Sequence, residues 1–143
     1  MVPYVEMTKA EFTEFLSDRR QAIIGVDRKK GPPSLSTVWY RFENDQIYFT
    51  IQKESFKYKL LRRSPEVSVM VDGQYDDMRN VVVYGQASFL PEEDTKQCYF
   101  WIMERYFNDT NVADEFSTRS YLWGDWIIVA VTPDRVLARI SSS

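Results

Sequence analysis

Residues 35–52, LSTVWYRFENDQIYFTIQ, decide how this chain folds. Two β-branched and aromatic runs, 35–43 and 46–52, flank Asn44-Asp45, a pair that tolerates the left-handed backbone of a two-residue hairpin turn. With that turn Phe42 faces Ile47, Tyr40 faces Phe49 and Val38 faces Ile51, so one face of the ribbon is wholly apolar and belongs in a core. The other face sets Thr37 opposite Gln52, Trp39 opposite Thr50 and Arg41 opposite Tyr48. Hydroxyls, an amide and an indole on one surface describe either a solvated face or the lining of a polar-aromatic site.

Outward from the hairpin, residues 54–63, ESFKYKLLRR, read as a short helix stopped by Ser64-Pro65. Residues 66–72, EVSVMVD, alternate as a strand, and the polar turn GQYDDM leads to a longer strand from Arg79 to Leu90. Gly85 inside it predicts a bulge or a barrel bend. Pro91 opens a helix at its first position, with Glu92, Glu93 and Asp94 at the positive end of its dipole and Tyr99, Ile102, Met103 and Tyr106 as its buried stripe. A polar loop follows, then residues 125–132, DWIIVAVT, and 135–140, RVLARI, as two last strands across Pro133-Asp134. On the other side, residues 8–20 read as a helix plugging one end of the sheet, with Thr8 and Glu11 at capping-box spacing and Phe12, Phe15 and Leu16 as its apolar stripe. Residues 21–27, QAIIGVD, form a short strand, and 28–34, RKKGPPS, a loop. Six or seven mostly antiparallel strands with three helices alternate too little for a doubly wound fold. A small, mainly β barrel with flanking helices, one domain over 1–143, is the economical closure.

Composition narrows the function. A net charge of −3 and a pI of about 5.1 argue against nucleic acid as the main partner. No apolar run approaches a membrane span, and Met1 to Arg20 lacks a signal-peptide core, so the chain reads as cytoplasmic. The single Cys98 excludes an intramolecular disulfide and reads as a packing residue. There is no histidine, which removes Ser-His-Asp and Cys-His catalysis and His-ligated zinc or haem iron; no metal site is expected. Any chemistry therefore falls to an organic cofactor or to carboxylates. Asp76 and Asp77 read as turn residues, and no side chain is singled out as catalytic.

The junction from Phe49 to Lys57 ends a strand and enters a helix, where free backbone N–H groups and the helix dipole attract anions. Thr50 and Ser55 offer hydroxyls and Lys57 a point charge. The basic run Lys57, Lys59, Arg62, Arg63 also fits a merely solvated helix face. Further on, Trp123 and Trp126 flank Gly124-Asp125, and Trp123 reads either as core and interface or as a ring stacked on a partner's cofactor.

Phe49-Thr50 followed by Ser55-Phe56-Lys57, then Leu61-x-x-x-Pro65-x-Val67, resembles the FMN-binding split-barrel superfamily of pyridoxamine 5′-phosphate oxidase and the flavin/deazaflavin oxidoreductases. The segments from Pro33 to Tyr40 and from Arg79 to Ala87 resemble its two other recurring blocks, and Pro33-x-x-x-x-Val38-Trp39 resembles the deazaflavin-binding branch. The resemblance implies a homodimeric split β-barrel holding FMN or a deazaflavin, with a small organic substrate. It implies that Ser36, Thr37, Val38 and Trp39 run along the ring system with Gln52 on the same face. Thr50, Ser55 and Lys57 hold the phosphate. By the same resemblance Arg79 and Asn80 of the partner subunit would reach the ribityl chain or the ring edge. Where the oxidase has a basic residue before the lysine this chain has Phe56, and it lacks the oxidase's arginine near Ser36. Those two departures leave open a carrier that binds a flavin or another planar ligand without turnover.

Overall fold

The computed structural model describes residues 4–141. In chain order the elements are β1 (Tyr4–Glu6), α1 (Lys9–Ser17), β2 (Gln21–Val26), β3 (Ser34–Glu43), β4 (Gln46–Gln52), α2 (Phe56–Arg63), β5 (Glu66–Asp72), β6 (Arg79–Phe89), a 3₁₀ turn (Glu92–Asp94), α3 (Thr95–Glu104), α4 (Thr110–Tyr121) and β7 (Trp126–Ser141). The sheet runs β7-β4-β3-β2-β5-β6, all antiparallel, and closes because β6 pairs back onto β7; β1 adds to the far end of β7.

The hairpin forms as its residues dictate. Asn44 and Asp45 both take positive φ, 51° and 62°, and Tyr40–Phe49, Arg41–Tyr48 and Phe42–Ile47 pair in the expected register. Past Tyr40–Phe49 the ladder stops. Residues 34–39 of β3 pair only with β2, and Thr50, Ile51 and Gln52 pair with β7. The expected Val38–Ile51, Trp39–Thr50 and Thr37–Gln52 pairs therefore do not form, and the barrel splits along this seam.

Alternation sorts the strands into inner and outer faces. Ala22, Ile24, Val26, Ile47, Phe49, Ile51, Val67, Val69, Val71, Val81 and Val83 fill the barrel. The capping box of α1 is present, with Thr8 Oγ1 accepting from Glu11 N–H and Glu11 Oε1 accepting from Thr8 N–H. The helix drives Phe15 and Leu16 into the barrel end, where the Tyr40 hydroxyl donates to the Leu16 carbonyl at 2.8 Å.

Several expectations need correction. The polar stretch after α3 contains α4, capped by Asp109. Its inward positions are Ala113, Ser117 and Ser120, so it carries no apolar stripe to betray it. Pro91 precedes a 3₁₀ turn, and α3 starts at Thr95 and ends before Tyr106. The two last strands are one. Proline is normally barred from a strand interior, but Pro133 sits opposite Gly85 at a register shift that absorbs Asp134, and only β6 pairs with β7 there. Strand β1 carries no sequence signal of its own. The run Ile127 to Val131 is buried throughout because the barrel covers one face and α3 with α4 covers the other. Among the described residues no helix is long and apolar enough to cross a membrane.

The turn between β5 and β6 is organised by Asp77. Its carboxylate accepts from Arg79 N, Nε and Nη2 and from Arg20 Nη2, and the Arg79 hydrogen bonds pull its pKa down to about 2. A depressed carboxyl contributes stability above its unfolded value of ~3.9 that is lost as pH falls through the folded value. Asp77→Asn should cost about 2 kcal/mol at pH 7 and lose most of that difference by pH 2–3. Urea unfolding at the two pH values checks this, and equal midpoints at neutral pH would contradict it.

Candidate functional site

The seam where β3 leaves β4 opens a groove of about 420 Å3. Thr37, Val38 and Trp39 line one side, Thr50, Ile51 and Gln52 the other, and Ser55 and Lys57 of the following turn close one end, with Glu54 and Trp126 completing it. Eight residues separated along the chain are thus gathered by one event, the departure of β3 from one edge of β4 while β7 stays paired to its other edge.

The two lysines that bracket the junction differ. Lys53 is neutralised, its Nζ 3.0 Å from Glu92 and 3.8 Å from Asp125. Lys57 has no ion pair among the described residues, is half-buried, and burial alone holds its ammonium below the usual lysine range. A cation that has lost water without gaining a carboxylate is stabilised by any anion that enters.

The hydroxyls are less free than their positions suggest. Ser55 caps α2: its Oγ accepts from Tyr58 N–H and donates its one proton to the Gln52 carbonyl at 2.7 Å. Thr50 Oγ1 donates to the Ile127 carbonyl at 3.3 Å. An incoming phosphate therefore meets Lys57 and the first N–H groups of α2, which have no intrahelical acceptor. Phe56 occupies the next position and is exposed.

Trp39 is held from behind. Its indole stacks on the Tyr106 ring, with centroids 4.3 Å apart and planes at 10°, and Phe107 and Phe116 pack around it. The Tyr106 hydroxyl donates to the Arg20 carbonyl at 2.6 Å and accepts the Tyr40 N–H at 2.9 Å, so it pins the start of β2 to the middle of β3. Tyr106 was expected only as core; its role shows in the stack it makes on Trp39, which Phe116 of α4 packs from another side.

The remaining residues lie elsewhere. Ser36 has the inward parity of β3, its Oγ buried without a hydrogen-bond partner among the described residues, and it does not line the groove. Arg79 and Asn80 are consecutive strand residues and point to opposite faces. Arg79 is tied to Asp77 with its guanidinium 5.0 Å from the Phe15 ring, at the end of the barrel, while Asn80 pairs with Asp72. Trp123 is three-quarters exposed, which corrects its reading as core. It belongs to the loop that packs on the groove through Gly124, where a Cβ would stand 2.8 Å from Gln52 Cδ. Trp126 is the packed tryptophan, donating to the Tyr121 carbonyl at 3.0 Å.

A second cavity of about 370 Å3 shares Thr37 and Trp39 with the groove and lies on their far side. No sequence motif pointed to its lining.

Residues 8–137 match the family model of pyridoxamine 5′-phosphate oxidase. The chain belongs to the pyridoxamine 5′-phosphate oxidase family. Solved structures agree on the fold. The conserved hypothetical protein Rv2991 from Mycobacterium tuberculosis is 25% identical with a TM-score of 0.78, over 94% of this chain and 85% of its own. A FAD-binding protein from Mesorhizobium loti is 20% identical with a TM-score of 0.72, over 100% of both chains. A protein described as F420 reductase is 19% identical with a TM-score of 0.67, over 86% of this chain and 93% of its own. No curated protein matches the sequence.

Proposed function

We propose that this family member is an oxidoreductase using FMN or a deazaflavin, anchored by its phosphate at Lys57, and that it works as a homodimer on a small organic substrate in the cytoplasm. The observation that carries the reading is the half-buried Lys57 at the start of α2, without an ion pair among the described residues, in a groove whose other lining groups are two indoles, an amide, three hydroxyls, aliphatic carbons and one carboxylate, Glu54. The similarity in fold to a FAD-binding protein and an F420 reductase supports it. When bound, such a cofactor supplies hydride transfer. The chain's own residues would anchor the phosphate, present the Trp39 edge and the Gln52 amide to the ring system, and keep water from it.

The dimer is supported by the outer face of the barrel. Ser68 pairs with Tyr84, and Leu35 on β3 with Val82 and Tyr84 on β6 are apolar side chains with no covering element among the described residues. A second copy seated there would bring its own Asn80 and Trp123 toward the site. A carrier without turnover is the other reading, and the internal commitment of the Ser55 and Thr50 hydroxyls favours it.

Mass spectrometry of whatever copurifies, followed by fluorescence titration with FMN and with F420, tests binding; turnover with a reductant and candidate acceptors then separates enzyme from carrier. Micromolar or tighter binding of one cofactor is expected. Binding of neither would overturn the proposal. Light scattering should report a dimer that Leu35→Glu with Tyr84→Glu converts to a monomer, and a wild-type monomer would remove the dimer from the proposal.

A further inference from the structure

The cavity beyond Trp39 has a chemistry of its own. On the outer face of the barrel, Ile23 pairs with both Thr37 and Met70, which makes an apolar floor across three strands. One step along, Gln21 pairs with Trp39, and Asp72 lies beside Gln21 because Ala22 pairs with Val71. Arg19, Arg20, Gln74 and Tyr106 complete the lining.

Its charges divide into paired and unpaired. Arg20 is bound to Asp18 and Asp77 at 3.1 and 3.4 Å. Arg19 donates only to neutral groups, the Arg105 carbonyl and Asn108 Oδ1, and has no carboxylate partner among the described residues. Asp72 has neither an ion pair nor a side-chain hydrogen bond among the described residues. The cavity thus offers one guanidinium and one carboxylate, each without a counterion, around the side chains of Ile23, Met70 and Trp39. Opposite charges left separately unpaired favour a ligand that carries both complements.

We propose that this cavity is the seat of a dipolar organic substrate, with a carboxylate toward Arg19, a cationic amine toward Asp72 and an aliphatic or aromatic body on Ile23, Met70 and the Trp39 edge. Its place as substrate rests on the cofactor reading, since Thr37 and Trp39 form the wall between the cavity and the Lys57 groove. Its charge preference does not.

The test uses the whole protein and matched probes: 4-aminobutyrate, 6-aminohexanoate and 8-aminooctanoate against hexanoate and hexylammonium, followed by saturation-transfer NMR and calorimetry. At least one ω-amino acid should bind tenfold or more tightly than either singly charged probe. Arg19→Gln should reduce that affinity to the hexylammonium level, and Asp72→Asn to the hexanoate level. Lys57→Gln should leave it unchanged. Equal affinity for all five probes, binding of none, or indifference to both substitutions would overturn the proposal. FMN and F420 titrations on the same samples keep the two readings apart. A protein that takes the ω-amino acid but no cofactor retains the cavity and loses the oxidoreductase, and the converse result does the reverse.

Discussion

Gly85→Ala is expected to lower stability by about 3 kcal/mol and the melting temperature by ~10 °C. Gly85 is buried in β6 at the register shift, where β7 comes so close that an added Cβ would lie 2.4 Å from the Thr132 carbonyl oxygen and 3.0 Å from Val131 Cγ1. The obstacle is backbone, and that backbone is anchored. Val131 is paired to Ile47 on the opposite side of β7, and Thr132 Oγ1 accepts from Gln46 Nε2 at 2.8 Å. Relief requires β6 and β7 to separate where they close the barrel. Gly25→Ala is the control, because the one tight contact of its Cβ would be Leu35 Cδ2 at 3.3 Å, the end of an exposed side chain that turns away at little cost. Urea unfolding of both variants decides the matter. Equal midpoints would mean that the close approach at Gly85 is not a constraint.

Lys57→Gln is expected to weaken cofactor binding 10- to 100-fold, about 1.4–2.7 kcal/mol, while leaving the melting temperature of the unliganded protein equal to or above the wild type. The two effects have one cause. Burial penalises the ammonium in the empty groove, so removing the charge relieves the fold, and the same uncompensated charge is what an anion would pair with. The pH dependence has a definite sign. Burial lowers the pKa of the unliganded state and a bound phosphate raises it. Affinity therefore falls as pH rises, beginning below the ordinary lysine value of ~10.4, and the glutamine variant should not show this fall. An unchanged dissociation constant would take Lys57 out of the site.

Local patterning made much of this fold legible. Asn44-Asp45 fixed the hairpin and its register because positive φ at two consecutive positions is a strong local demand. Thr8 and Glu11 fixed the start of α1, and Gly85 announced the bulge. What stayed hidden depended on distant partners. The split between β3 and β4 was invisible because Val38 and Ile51 look like a cross-strand pair whether or not the strands stay together. Helix α4 was invisible because its fully buried side chains, Ala113, Ser117 and Ser120, are small and form no strong apolar stripe, and Pro133 looked like a break because the glycine that excuses it lies far back in the chain. Among the candidate site residues, those on β3, β4 and the start of α2, Ser36 excepted, lie around one groove because strand alternation and a helix start place them together. Arg79 and Asn80, neighbours in one motif block, are sent by the pleat to opposite faces, a separation that the block alone does not show. The second cavity escaped notice because its charges are ordinary until their partners are counted.

The divergence of β3 from β4 also sets a timetable for assembly. The groove's far wall is held by β7, which follows β4 only after two more strands and three helices have been made. A ribosome-bound chain that has exposed the hairpin and α2 already displays Lys57, yet has nothing for Thr50 and Gln52 to lean on. Completion of the groove therefore waits for β7, and amide protection at residues 50–52 should rise in step with protection at 126–128 during refolding, not with the hairpin tip.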